Sequence, residues 1–527
     1  MAYKIILQQT RIIINDYTPG DSPKLEKYFT LYDPITHMRY IKGIIYKEDT
    51  RQLILPRGLD IYLLEEIFSA IAHTDMTHDA YDTTDPIMLK KLPRDDNQCK
   101  TLRFILGEGE YHRNKYKSQL CVNNSTGSGK TYVASATIAY TLWKSIVISS
   151  TNGVINQWVE RLQEYTDITP KDICIIKGQG VIHRLLKADN SKYKIYLVTH
   201  STLNDYAGNN GWDAVGDLFR SLKIGLKIYD EYHYNFDNMI YIDGHTNTYK
   251  TLYLSATPAR SSEGENNIFQ YCFKNVPNID TFDPDKDPHT DYLALIYSSE
   301  PTPYEISACK NQYGLDRNRY TSYVLKKENF QLLMHYLINK IMYISGKTLI
   351  YIGTNSAITF VKDWITENYP ELRTKVGVFT SITPPEEKRE QLDKKIILST
   401  TKSCGAAIDI YGLKVGIILD EPFKSEILAV QAMGRLRAED TRFIECVDRG
   451  FRPCFAYYQH KREAIEKHAR SMHEVRMNSY ELRETVGRML EERSKRKNPF
   501  MYLNPGERIA PFMREEDTKW TDCIVKE

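Results

Sequence analysis

At 527 residues, with 42% hydrophobic and 26% charged side chains, the chain is too long for one ordinary core and too apolar for a disordered polymer, which leaves two or three folded domains as the expectation. Lys+Arg at 70 against Asp+Glu at 68 gives a formal charge of only +2, so any polyanion must be gripped by a local groove rather than by net charge. Nine cysteines without a Cys-x-x-Cys pair exclude a disulfide framework and a zinc cluster, and no run reaches the roughly 18 apolar residues of a membrane helix.

The first 91 residues read as a small α+β accessory domain. Short apolar runs at 41–46 and 53–55 sit between the turn signals Pro19-Gly20-Asp21 and Pro56-Arg57-Gly58, and 59–71 spaces Leu, Ile and Phe along one helical face. The acidic, threonine-rich stretch 75–85 suits an exposed linker. From residue 92 to 275, apolar runs at 119–122, 145–148, 195–198, 224–229 and 252–254 alternate with segments of helical spacing such as 132–143 and 154–165. That alternation predicts an α/β domain with a doubly wound parallel sheet. Residues 276–325, rich in Asn, Asp and Pro, are expected to connect it to a second α/β domain over 326–460, with strands at 349–352, 376–379, 396–398, 415–419 and 454–457. A charged helical extension and tail, 461–527, includes Arg493-Ser494-Lys495-Arg496-Lys497.

The sharpest motif is Ser125-Thr126-Gly127-Ser128-Gly129-Lys130-Thr131, after an expected strand and before an expected helix. Glycines let backbone N–H groups turn toward phosphate oxygens, Lys130 reaches the β/γ-phosphates, and Thr131 suits Mg²⁺. The usual pattern has Gly at the position of Asn124. A second motif, Asp230-Glu231-Tyr232-His233, ends an apolar run at the strand edge where such sheets bind ligands. There Asp230 suits Mg²⁺ and Glu231 suits polarisation of the water that attacks a γ-phosphate.

Together these motifs resemble a superfamily 2 helicase of the DExH type. Further stretches resemble that family's motif series in order: Ser150-Thr151-Asn152 with Asn156-Gln157-Trp158, Val198-Thr199-His200-Ser201, Ser255-Ala256-Thr257-Pro258, Tyr351-Ile352-Gly353-Thr354, Ser399-Thr400-Thr401 with Gly405 and Asp409, and Gln431-Ala432-Met433-Gly434-Arg435. The resemblance covers about residues 92 to 460 and implies two tandem RecA-like domains using ATP and Mg²⁺. It implies catalytic roles for Lys130, Glu231, His233, Gln431 and Arg435, with Arg435 as the finger on the γ-phosphate. Nucleotide contacts fall on Gln98 (the base-reading glutamine), Thr126, Gly127, Ser128, Gly129, Lys130, Thr131, Asp409 and Arg437. The metal falls to Thr131 and Asp230. Strand phosphates fall to Thr151, Thr199, Thr354 and Thr400, each also readable as an ordinary helix cap. The family's second arginine of the last motif would stand at 438, where this chain has Ala438.

Residues 29–33 and 53–59 are similar to the leader ahead of helicases of poxviruses, African swine fever virus and giant DNA viruses. That likeness implies action on single-stranded or duplex DNA in viral transcript release or repair, with a viral RNA polymerase as partner, in the cytoplasm and with no membrane. An RNA helicase of the same design and an inactive helicase-fold scaffold are the alternatives.

Overall fold

The computed structural model describes residues 3–32, 38–125, 127–187, 192–260, 263–282, 288–312, 314–380, 382–384, 386–404, 410–438 and 440–495. The chain divides into two compact units, Met1–Phe282 and Asp283–Glu527.

The first unit opens with a mixed sheet. Strands β1 (Lys4–Leu7) and β2 (Arg11–Asn15) pair as a hairpin, β3 (Thr30–Tyr32) and β4 (Arg39–Ile41) pair separately, and β5 (Ile45–Lys47), β6 (Gln52–Pro56) and β7 (Ala72–Thr74) complete a five-stranded sheet in the order β5-β6-β2-β1-β7. The apolar run at 41–46 is split between β4 and β5 because Gly43 takes φ +87°, with Phe29 and Ile268 within 3.3 Å of where a Cβ would sit. The helix expected at 59–71 spans Ile61–Phe68 and stops at Ser69, whose left-handed backbone lets its N–H reach the carbonyls of Glu65 and Glu66. This small α+β domain is docked on the remainder of its unit. Thr10 Oγ1 donates to the Asp243 carbonyl at 3.0 Å, Ser118 Oγ to the Gln9 carbonyl at 2.6 Å, and Ile12, Ile14 and Leu55 share one core with Tyr253 and Phe269.

The main sheet of the first unit consists of β8 (Gln119–Val122), β9 (Ser145–Ser149), β10 (Ile173–Ile176), β11 (Ile195–Thr199), β12 (Leu226–Asp230), β13 (Lys250–Leu254) and β14 (Asn278–Ile279), in the order β10-β11-β9-β12-β13-β8-β14. Every pairing is parallel. Helices cover both faces, so β8, β9, β11 and β13 are buried along their whole length and read as continuous apolar runs.

The second unit contains β15 (Thr290–Tyr297), a short hairpin of β16 (Lys310–Asn311) and β17 (Gly314–Leu315), and then β18 (Lys347–Tyr351), β19 (Val376–Phe379), β20 (Ile396–Ser399), β21 (Leu413–Ile418), β22 (Thr441–Asp448) and β23 (Ser471–Arg476). Its main sheet, also parallel throughout, has the order β19-β20-β18-β21-β22-β15-β23. Numbering β8 to β14 as 1 to 7 in one sheet, and β15 then β18 to β23 as 1 to 7 in the other, gives 3-4-2-5-6-1-7 in both. The two units are tandem RecA-like domains built on one strand plan.

Three expectations differ from the structure. Residues 276–325, expected as a connector, supply β14 to one sheet and the eight-residue strand β15 to the other. Residues 454–457, expected as a strand, lie inside the helix Arg452–His468. Pro453 sits in its first turn, and Cys454, Tyr458, Lys461 and Ile465 form its buried face, a period that a four-residue run cannot display. The charged extension is not helical throughout. It contributes β23, and then the helix Ser479–Lys495, whose Leu482 and Val486 enter the second core. Among the described residues no helix is long and apolar enough to cross a membrane.

Candidate functional site

Because all strands of the first main sheet run the same way, their C-terminal ends share one edge. There β8 leads into the phosphate-type loop, β12 ends in Asp230, and β13, between them, leads into Ser255. Register places Val122, Leu254 and Asp230 side by side across the three strands.

The loop is shaped for an anion. Gly127 and Gly129 take φ +86° and +91°, and a Cβ on Gly129 would sit 2.1 Å from Gln98 Nε2. Gly129 caps the helix Lys130–Thr141, aiming its unpaired N–H groups and positive dipole end at the loop. Ser128 Oγ is buried without a partner among the described residues, and Lys130 Nζ donates to the carbonyls of Asn124 (2.8 Å) and Ser125 (3.1 Å). These donors suit a triphosphate. Asn124, in the place where glycine is usual, acts as a brace: its amide donates to Thr101 Oγ1 at 2.8 Å and its oxygen accepts the Thr281 N–H at 3.2 Å.

Gln98 lies over the same loop in the helix Asp96–Leu106, which Asp95 caps. Its amide nitrogen donates to the Ser128 carbonyl at 3.1 Å and its oxygen accepts the Arg94 N–H at 2.8 Å, fixing the orientation of the side chain.

Glu231 sits in left-handed backbone, φ 55°, a conformation that costs a non-glycine residue about 1–3 kcal/mol and persists only when surrounding contacts impose it. Ser255 Oγ lies 3.4 Å from Glu231 Oε2 and 2.8 Å from His233 Nδ1. Burial pushes the His233 pKa down to about 4, so near neutrality the ring is uncharged and acts as a hydrogen-bonding strut rather than a cation. Thr131 heads its helix and Asp230 ends its strand, and both carry side-chain oxygens of the kind that suits Mg²⁺, an ion that takes few protein ligands and keeps waters and phosphate oxygens. No group of three or more His, Cys, Asp or Glu suits a protein-only metal cage among the described residues.

One contact to Asp230 is not evident from its strand: Trp158 Nε1 donates to Asp230 Oδ2 at 2.8 Å from the helix Asn152–Tyr165. The sequence signal was an indole, a donor-only group, on a face that also buries Val154, Ile155 and Leu162. Trp158→Phe keeps an aromatic ring, smaller than the indole, and removes the N–H that donates to Asp230 Oδ2. The expected result is a roughly three- to tenfold rise in the Mg²⁺ concentration giving half-maximal ATP hydrolysis, with a smaller change at saturating Mg²⁺. An unaltered Mg²⁺ titration would assign the bond to packing alone.

In the second unit, Gln431 closes the helix Glu426–Met433, and Arg435 occupies the turn that follows; both are buried, whereas Arg437 is exposed. Thr126 and Asp409, expected nucleotide contacts, lie outside the described residues.

The candidate strand-binding threonines all cap helices or turns. Thr151, Thr199 and Thr354 accept from the N–H groups of Val154 (3.4 Å), Thr202 (3.2 Å) and Ala357 (3.1 Å), and Thr400 accepts from Ser403 (3.0 Å). Thr151 is exposed and Thr354 and Thr400 are half-buried, while Thr199 is buried. They occur in matched pairs on the common strand plan: Thr151 and Thr354 follow second strands, and Thr199 and Thr400 belong to fourth-strand ends. The fifth strands match too, so Asp420-Glu421 after β21 occupies the place of Asp230-Glu231. There the acidic pair is structural. Asp420 Oδ1 accepts the Gly353 N–H at 3.0 Å, and Glu421 accepts Thr401 N–H (3.2 Å) and Oγ1 (2.6 Å), holding the loops of Thr354 and Thr400.

Residues 91–260 match the family model described as "Type III restriction enzyme, res subunit". No curated protein matches the chain significantly. Among solved structures, S. cerevisiae Dbp5 bound to RNA and ADP BeF3 is similar at 14% identity and a TM-score of 0.49, covering 75% of this chain and 93% of that one. Bacteriophage T4 UvsW is similar at 14% identity and a TM-score of 0.34, over 90% and 100%. A putative HsdR subunit of a type I restriction enzyme from Vibrio vulnificus YJ016 is similar at 14% and 0.48, over 73% and 68%. The segment similar to the restriction-subunit family ends at Arg260 and therefore contains the phosphate-type loop, Asp230-Glu231 and Ser255.

Proposed function

We propose that this chain is an ATP-dependent nucleic-acid helicase or translocase of superfamily 2 that couples ATP hydrolysis to movement along a DNA strand. The observation that carries the reading is the alignment, on one sheet edge, of an anion-shaped loop with Lys130 and a carboxylate pair, Asp230-Glu231, whose second member is held in strained backbone. The match of residues 91–260 to a restriction-enzyme res subunit model supports it, as does a second sheet of the same strand order.

In this reading the loop N–H groups and Lys130 hold the β- and γ-phosphates and Gln98 contacts the base. Thr131 and Asp230 would hold Mg²⁺, which lowers the charge barrier at the phosphates when bound. Glu231, steadied by Ser255 and His233, orients the attacking water and accepts its proton. Gln431 and Arg435 are assigned by motif order, with Arg435 acting on the γ-phosphate charge. Thr151, Thr199, Thr354 and Thr400 mark strand contacts through phosphates, which carry no sequence information. The N-terminal residues 53–59 motivate a finer setting: transcript release or DNA repair in a large DNA virus, with the viral RNA polymerase as partner.

The test is the ATPase rate of the full chain without polymer, with single-stranded DNA, and with RNA of equal length. Stimulation by DNA is expected, and Lys130→Ala should lower kcat/KM roughly 10²-fold or more through lost charge-assisted phosphate contacts. Stimulation by RNA alone would replace DNA with RNA as the track, and no hydrolysis with either polymer would leave a binding scaffold.

A further inference from the structure

The turn that carries Glu231 is held from behind by Arg260. Its Nη1 donates to the carbonyls of His233 and, at 2.9 Å, of Tyr234, whose own N–H returns to the Glu231 carbonyl at 3.0 Å. Arg260 is in turn gripped by the first turn of the helix Glu263–Phe273. Its N–H donates to Asn266 Oδ1 at 2.8 Å, and its Nη2 and Nε lie 2.9 and 3.3 Å from Glu265 Oε2. Glu265 has a second partner, Lys42 Nζ, which comes from the N-terminal domain and also lies 3.0 Å from Asp237 Oδ2. Asp237 belongs to the first turn of the helix Phe236–His245, which follows the Glu231 turn.

One ammonium thus joins the first turns of two helices, one leaving the Asp230-Glu231 turn and the other leaving the Ser255-Ala256-Thr257 segment. Lys42 is well placed for this: its side chain is 12% exposed, its N–H donates to the Phe29 carbonyl at 2.8 Å, and Gly43 beside it abuts Ile268. Burial lowers the Lys42 pKa, but hydrogen bonds to Glu265 and Asp237 outweigh it and the net shift is upward. Burial raises the Glu265 pKa, but Lys42 and Arg260 outweigh it and the net shift is downward. Both shifts favour the charged forms of Lys42 and Glu265. An alternative reading is that Asp237 and Glu265 merely complement helix dipoles and that Lys42 forms an ordinary surface pair. The low exposure of Lys42, its two carboxylate partners and the direct onward link through Arg260 to the catalytic turn argue against it.

We propose that the N-terminal domain fixes the geometry of Glu231 through Lys42, Glu265 and Arg260, which makes Lys42 a positioning residue for ATP hydrolysis. The inference rests on the ATPase reading above. A small displacement of a reacting group costs large factors in rate without touching nucleotide binding, so the signature is a split between kcat and KM.

The experiment measures kcat, KM for ATP and Tm of the full chain at saturating polynucleotide. Lys42→Met is expected to lower kcat roughly tenfold at unchanged KM, and Lys42→Arg to restore it to within about twofold. Glu265→Gln should lower kcat as well, and adding Lys42→Met to it should cost little more, because both break the same chain of contacts. Glu265→Gln carries the test should Lys42→Met not fold. Wild-type hydrolysis with unchanged kcat in Lys42→Met, or a loss of kcat that follows Tm and is not rescued by arginine, overturns this inference alone. A wild-type chain that does not hydrolyse ATP overturns the ATPase reading and this inference with it.

Discussion

Glu231→Gln is expected to bind ATP normally and to turn it over about 10²–10⁴-fold more slowly, the usual yield of a positioned proton acceptor. The amide has the shape of the carboxylate and can still bond Ser255 Oγ, which stands 3.4 Å from the carboxylate, so the turn and its left-handed backbone should persist. What is lost is the negative charge that polarises water. Phosphate release measures turnover, and equilibrium titration with a fluorescent ATP analogue measures binding. A variant that hydrolyses ATP at the parental rate removes Glu231 from the chemistry, whereas a variant that no longer binds ATP shows that its carboxylate shapes the pocket instead.

The second large effect is on stability. Asp243 is 4% exposed, and its carboxylate receives Lys227 Nζ at 2.6 Å and the hydroxyls of Tyr229 (2.8 Å) and Tyr253 (2.6 Å). Burial pushes the Lys227 pKa down, and Asp243 opposes that shift. Asp243→Ala leaves a fully buried ammonium with Thr246 Oγ1, at 2.7 Å, as its remaining hydrogen-bond acceptor among the described residues, Tyr253 without its carboxylate acceptor, and Tyr229 with only the Met239 carbonyl at 3.5 Å. Breaking one side of a buried ion pair costs about 3–5 kcal/mol, whereas exchanging both sides for apolar groups of similar volume is often near neutral. The urea midpoint of Asp243→Ala should therefore fall strongly, and Lys227→Met with Asp243→Leu should recover much of the loss. An unshifted midpoint in the single variant would mean that water reaches Lys227.

Strands β8, β9, β11, β12 and β13 of the first main sheet and β18 to β21 of the second were legible in the amino-acid order, because a parallel strand buried on both faces needs an unbroken run of apolar residues. Strand β10, equally apolar at Ile173–Ile176, was missed because a four-residue run fits strand and helix alike. Strand β22 was not: Arg442, Glu445 and Asp448 interrupt it, and Glu445 is tolerated because Lys461 lies 2.6 Å away from the helix Arg452–His468. Strand β15 was hidden by the polar residues around it. At the candidate site, the placement of Lys130 and Thr131 at a helix start after one strand and of Asp230 at the end of another was legible, because a phosphate-type loop has a recognisable residue pattern and local spacing. Trp158, Arg260 and Lys42 were not assigned these roles, because their bonds reach the site from elements 72, 26 or 27, and more than 200 residues away. Such bonds follow from packing, which no local pattern encodes. The capping geometry of Thr151, Thr199 and Thr354 was legible as the simpler of two uses, and a cap can hold a loop while its neighbours meet a ligand.

The placement of β15 bears on how the chain is made. This strand is apolar over most of its eight residues, and its ladders run to β22 and β23, where Thr441 lies 151 positions after its partner Thr290 and Ser471 lies 180 after its partner Asp291. During synthesis it must leave the ribosome long before either neighbour exists, with both backbone edges open to mispairing. Until residue 448 has emerged β15 has no partner strand, and until residue 476 its outer edge stays unpaired, so nascent chains halted earlier are expected to be held by chaperones or degraded rather than to yield a shorter folded chain.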